Sequence, residues 1–94
     1  MRWLKKREFI VYSYLAIKYG GETVSAIDTI YEVKKTFRTT TRTAKNIVKR
    51  LVRAGYLIKI DNNNLRVREL NDVFAELIFS YVHRRAIRTS TSNR

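Results

Sequence analysis

Residues 41–54 describe a helix whose two sides have opposite characters. Ala44, Ile47, Val48, Leu51 and Val52 recur at i, i+3, i+4, i+7 and i+8, the spacing that lines one stripe of an α-helix. At about 100° per residue the other side carries Arg42, Lys45, Asn46, Lys49 and Arg53. Such a helix must lay its apolar stripe on a core and turn its basic side outward. The chain around it extends the constraint. Residues 33–60 hold nine basic groups (Lys34, Lys35, Arg38, Arg42, Lys45, Lys49, Arg50, Arg53 and Lys59) and no Asp or Glu. Three-quarters of the formal charge of +12 therefore sits in this stretch. A solvated helix face ordinarily mixes signs, because opposite charges at i,i+4 support it. An acid-free stretch gives up that support, and a polyanion would relieve its self-repulsion.

The rest of the composition narrows the function classes. Ninety-four residues build one modest core, so a single domain over residues 1–88 is expected, with a disordered polar tail over residues 89–94. A hydrophobic content of 45% argues against wholesale disorder. Without cysteine there is no disulfide framework and no thiolate zinc site. His83 is the only histidine and reads as structural, so no metal and no cofactor are expected. No apolar run reaches the ~18–20 residues of a membrane span, and no signal-peptide pattern follows the basic N-terminus. The expectation is a cytoplasmic, nucleoid-associated protein with affinity for polyanions and none for membranes.

Residues 5–19 read as a first helix, ended by Gly20-Gly21. From Phe9 to Tyr19 only Ser13 and Lys18 are not apolar or aromatic, so this helix should be buried on more than one side. A subunit interface is the simplest way to do that in a short chain. Residues 22–24 are extended. Ser25 reads as the N-cap of a second helix over 26–37, with Asp28 at N3 and Ile27, Ile30 and Tyr31 as its apolar positions. Thr39 or Thr40 caps the third helix, and Ala54-Gly55 closes it. Residues 56–60 and 65–69 are two strands joined by the turn chemistry of Asp61-Asn62-Asn63-Asn64. Asn71 or Asp72 caps a fourth helix to about Arg85, with Val73, Phe74, Leu77, Ile78, Tyr81 and Val82 as its stripe. The fold class is α+β and mostly helical.

This order of elements resembles the winged helix-turn-helix superfamily, with an additional C-terminal helix. The segment that carries the resemblance runs from Thr39-Thr40-Thr41-Arg42 to Ala54-Gly55-Tyr56-Leu57: a Thr-rich start, a basic amphipathic helix, a helix-ending glycine and an apolar strand. The resemblance covers roughly residues 8–70. Small archaeal and archaeal-virus regulators of that superfamily are similar in size and in Lys/Arg/Ile/Tyr bias. The resemblance implies a three-helix core, a β-hairpin wing and binding to double-stranded DNA, with the third helix in the major groove and the wing on the flank.

The residue types fit that task. Arg pairs bidentately with guanine and Asn with adenine, so Arg42, Lys45 and Asn46 are candidates for base contacts. Arg38, Thr39, Thr41 and Lys49 are candidates for phosphate, and Lys59, Arg66 and Arg68 for the flanking backbone. Arg50 and Arg53 lie near the helix C-terminus, where cations also complement the macrodipole. Trp3, Phe9, Tyr12, Leu77 and Tyr81 are the candidates for a homodimer interface, which would make a transcriptional regulator with a palindromic site. Arg84, Arg85 and Arg88 form either a second DNA contact or a solvated tail. Two other readings use the same charge: an accessory subunit of a larger replication or transcription complex, and an RNA-binding or ribosome-associated protein. Enzyme readings lack a phosphate loop, a nucleophile with partners, or converging carboxylates. Only Asp72 and Glu76 share a helix face, and capping and surface roles suit them.

Overall fold

In a computed structural model, which describes residues 3–92 and side chains as far as Arg85, four helices surround a small sheet. The elements are α1 (Lys6–Tyr19), β1 (Thr23–Ser25), α2 (Ala26–Phe37), α3 (Thr41–Ala54), β2 (Leu57–Lys59), β3 (Asn64–Val67) and α4 (Leu70–Ser92). The fold is α+β, and the three strands are antiparallel in the order β1-β3-β2. None of the helices, among the described residues, is long and apolar enough to cross a membrane.

Local chemistry explains the boundaries of α2 and α3. Ser25 is extended, and its side chain accepts a hydrogen bond from the Asp28 N–H. Thr40 does the same for the Thr43 N–H at 3.1 Å and adds a hydroxyl contact to Thr43 at 3.0 Å. Each satisfies one of the amides a helix start leaves orphaned. Gly55, at φ 91°, closes α3 in left-handed backbone, while the Tyr56 N–H returns to the Leu51 carbonyl at 2.9 Å. Arg38 closes α2 in the same backbone region, at φ 52°, although it is not glycine.

The core lies between α1, the inner side of α3, one face of the sheet and the first half of α4. Val11, Tyr12, Leu15, Val33, Leu51, Tyr56, Leu57, Val67, Val73 and Leu77 are all but fully buried. Each buried aliphatic side chain of this size contributes about 1.5–3 kcal/mol of burial free energy. Tyr12 meets Tyr56 edge-on, with ring centroids 5.1 Å apart, and Phe9 stacks on Phe74 at 5.7 Å. The Tyr14 and Lys18 side chains of α1 donate to Glu32, tying α1 to α2, and Thr36, one turn further along α2, donates to the same carboxylate.

Three sequence expectations change here. Val11, Tyr12, Leu15 and Ala16 of the apolar run in α1 are buried without a second subunit, whereas Ile10 and Ile17 stay exposed at 48% and 79%. Strand β3 and helix α4 fold back over the buried side, so Tyr12 and Leu77, expected at a dimer interface, are 0% and 1% exposed within one chain. The apolar positions of α2 are also redistributed. Thr29 and Val33 face the core, whereas Ile27 and Tyr31 stand out in solvent at 73% and 61%. Finally, α4 begins at Leu70 and extends beyond Arg85, since neither glycine nor proline stops it. The expected tail overlaps its last residues, and Asn93 and Arg94 lie outside the described residues, as does the side chain of Arg88.

Candidate nucleic-acid interface

Helix α3 buries Ala44, Ile47, Val48 and Leu51, which turns its opposite side outward. Arg42, Lys45, Asn46, Lys49 and Arg53 are exposed there, as is Thr41 at the helix start. Arg38 is exposed in the α2–α3 turn, with Thr39 half-buried beside it. Among the described residues, ion pairs join Lys18 to Glu32, Arg50 to Glu8 and Arg68 to Glu76. None involves Arg38, Arg42, Lys45, Lys49, Arg53 or Lys59. The outward face of α3 therefore holds several cations with no carboxylate partner.

This face borders a groove of about 800 Å³ between α2, α3 and the β2–β3 hairpin. Ile27, Ile30, Tyr31, Val48, Val52 and Leu65 give it apolar walls, and Lys34, Lys45, Lys49, Arg53 and Lys59 give it charge. Lys34 was not among the sequence candidates. Its signal was present in the i,i+4 and i,i+3 relation to Ile30 and Tyr31, which placed it on the same side of α2. Asp61 is the one acid in the groove wall. Its carboxylate accepts from the Asn63 and Asn64 N–H groups and the Asn64 amide, which hold it below the usual carboxylate range. It shapes the hairpin turn.

The hairpin does not present its cations as one set. Register pairs Lys59 with Leu65 and Ile58 with Arg66. Because strand side chains alternate, Lys59 shares the groove side with Leu65 while Arg66 points to the opposite face of the sheet. Arg66 is exposed there, opposite Thr23 of β1. Arg68 is removed from the candidate surface altogether. Its guanidinium donates to the Gly55 carbonyl at 3.2 Å and to Glu76 at 2.7 Å, which fastens the end of α3 and the hairpin to α4. Arg50 likewise turns toward α1, donating to the buried Glu8 carboxylate at 2.9 Å.

The candidates for a dimer interface scatter. Trp3, half exposed, lines a small pocket with Glu8, Arg50 and Arg53, on the α1–α3 side. Phe9 is half-buried against Phe74. Tyr81 is 49% exposed on α4, and Ile78, Phe79 and Val82 beside it are exposed as well. Among the described residues no three His, Asp or Glu side chains gather closely enough to hold a metal ion. No family model, curated protein or solved structure matches the chain.

Proposed function

We propose that the chain is a winged helix-turn-helix protein that binds double-stranded DNA, as a transcriptional regulator. The observation that carries this reading is the unpaired cationic face of α3 continuing into the groove beside the hairpin. An α-helix with side chains is about 10–12 Å across and the major groove about 12 Å wide, so α3 fits with its outward face against the base edges. Arg42, Lys45 and Asn46 take the base contacts, and Arg38, Thr39, Thr41, Lys49 and Lys59 the phosphates. Lys34 and Arg53 extend the phosphate track along the groove. The order helix, strand, helix, helix, hairpin, and the antiparallel sheet that seats the hairpin beside α3, support the superfamily reading. In this reading the chain is a binding module with no catalytic step.

The test is duplex binding across a salt series. Each neutralised phosphate contributes about −0.9 to the slope of log K against log salt, so about three to five phosphate contacts give a slope of about −3 to −5. A slope flatter than about −1 overturns the proposal. Structured RNA that outcompetes duplex at equal salt would instead assign the face to RNA.

A further inference from the structure

The groove between α2, α3 and the hairpin joins an apolar floor to cationic walls. Val48 and Leu65, 4% and 5% exposed, are the least exposed of its apolar side chains, and Ile30 and Val52 are half-buried. Ile27 and Tyr31, both exposed, continue this apolar surface along the α2 rim at i and i+4. Cations stand on all three walls: Lys34 on α2, Lys45, Lys49 and Arg53 on α3, and Lys59 on the hairpin. None of the five is ion-paired among the described residues. The carboxylate of Asp61 is turned into its own hairpin turn, where the Asn63 and Asn64 N–H groups hold it.

A duplex answers only part of this. Its phosphates suit the cations, but it has no continuous apolar stripe to cover Ile27, Ile30, Tyr31 and Val52. A small amphiphile with one charged head would cover those side chains and leave most of the five cations unanswered. A flat bilayer does not follow a concave wall. An acidic amphipathic helix supplies both parts, an apolar stripe for the floor and carboxylates on its flanks for the walls. The dimensions agree. The groove follows α3 from Thr41 to Arg53, about 18 Å at the rise of an α-helix. A helix of that length and about 10–12 Å across fills about 1,400–2,000 Å³. The groove, at about 800 Å³, takes about half of it, and an amphipathic helix needs one side buried and the other left in water.

We propose that this groove is the docking site for an acidic amphipathic helix of another protein. Its apolar stripe lies on Val48, Val52, Leu65 and Ile30 and reaches the rim at Ile27 and Tyr31, and its carboxylates pair with the cations of the three walls. Lys45, Lys49 and Lys59 are also the residues assigned to DNA, so the docked helix displaces the duplex by taking its cations. That displacement rests on the DNA-binding reading; the docking itself does not.

The test uses the full chain and fluorescent synthetic peptides of about 15 residues, or about four helical turns, followed by anisotropy. One set varies Leu, Ile, Val and Phe at i, i+4, i+7 and i+11 with Glu and Asp on both flanks; a second set has the same compositions shuffled so that no stripe forms. Striped peptides should bind at least about tenfold more tightly than shuffled ones, because only they bury apolar surface as well as charge. The double variant Ile27→Ser/Tyr31→Ser, at two exposed positions, should weaken striped peptides at least about tenfold with far-UV dichroism unchanged. Lys49→Glu should weaken them as well. The proposal is overturned if no striped peptide binds below about 1 mM, if shuffled peptides bind equally well, or if the rim variant makes no difference. Added to a duplex complex, a striped peptide should raise the apparent duplex dissociation constant in proportion to its own concentration. Simultaneous binding of peptide and duplex overturns the displacement and supports docking alone. A duplex that shows no binding in the salt series removes the DNA reading, while the peptide measurements still decide the docking.

Discussion

Tyr12 makes the stability of this fold sensitive to alkali in a calculable way. Its ring is fully buried, and its hydroxyl donates to the Arg68 carbonyl at 2.8 Å. Burial pushes the phenol up to about 12 from its ordinary 10.0; the nearby Arg68 charge opposes the rise but does not cancel it. The neutral phenol is therefore the form the folded state prefers. Below about pH 10 it is neutral in both states and its contribution is intact. Between about pH 10 and about pH 12 the unfolded chain ionises first, and stability falls by about 1.4 kcal/mol per pH unit, to a total of about 2.7 kcal/mol. Tyr12→Phe removes this dependence and also the hydrogen bond, at a cost of about 1 kcal/mol at neutral pH, because the Arg68 carbonyl loses its donor. The two proteins should thus exchange rank. The parent is more stable by about 1 kcal/mol near pH 8, the difference vanishes near pH 11, and the variant leads above that. Urea denaturation of both proteins followed by far-UV dichroism measures it, and taking the difference cancels the lysines and other tyrosines that titrate in the same range. A gap that stays constant from about pH 8 to about pH 11 refutes the reasoning.

The other predictions concern the α3 face and its supports. Lys59→Ala should weaken binding to every duplex alike and flatten the salt slope by about 1, whereas Arg66→Ala, on the opposite face of the hairpin, should leave both unchanged. Equal effects would place the wrong side of the sheet on the nucleic acid. Arg42→Ala should relax base preference at one position by about 1–3 kcal/mol, read by selecting bound sequences from a random duplex pool. Thr40→Ala should cost about 1 kcal/mol, or about 4–8 °C in Tm, by leaving the Thr43 amide without its cap.

The parts of this fold written by local chemistry could be read from the sequence. Ser25 and Thr40 supply side-chain acceptors at helix starts, and Gly55 the left-handed stop, so α2 and α3 fall where spacing puts them. The outward face of α3 follows from the same periodicity. What escaped was fixed by long-range packing. Glu8 and Arg50 are 42 residues apart, and nothing in their spacing announces the bond that turns the Arg50 guanidinium toward α1. Arg66 and Arg68 stand two apart, as a strand face would have them, but β3 ends at Val67 and Arg68 turns to Gly55 and Glu76. Tyr12 looked like surplus apolar surface because the chain that covers it, β3 and α4, lies some fifty residues away. Ile27 and Tyr31 looked like core because periodicity identifies a stripe without saying what lies beneath it.

If α3 binds DNA as proposed, Arg38 sets binding against folding. Left-handed backbone disfavours any side chain with a Cβ, and the turn that ends α2 at φ 52° is where glycine would sit with least strain. Arg38→Gly should accordingly raise the melting temperature and lower DNA affinity in the same molecule. Selection for heat resistance alone would then drift toward a sturdier protein with a weaker hold on its target. A screen for improved variants should score the two properties separately at this position.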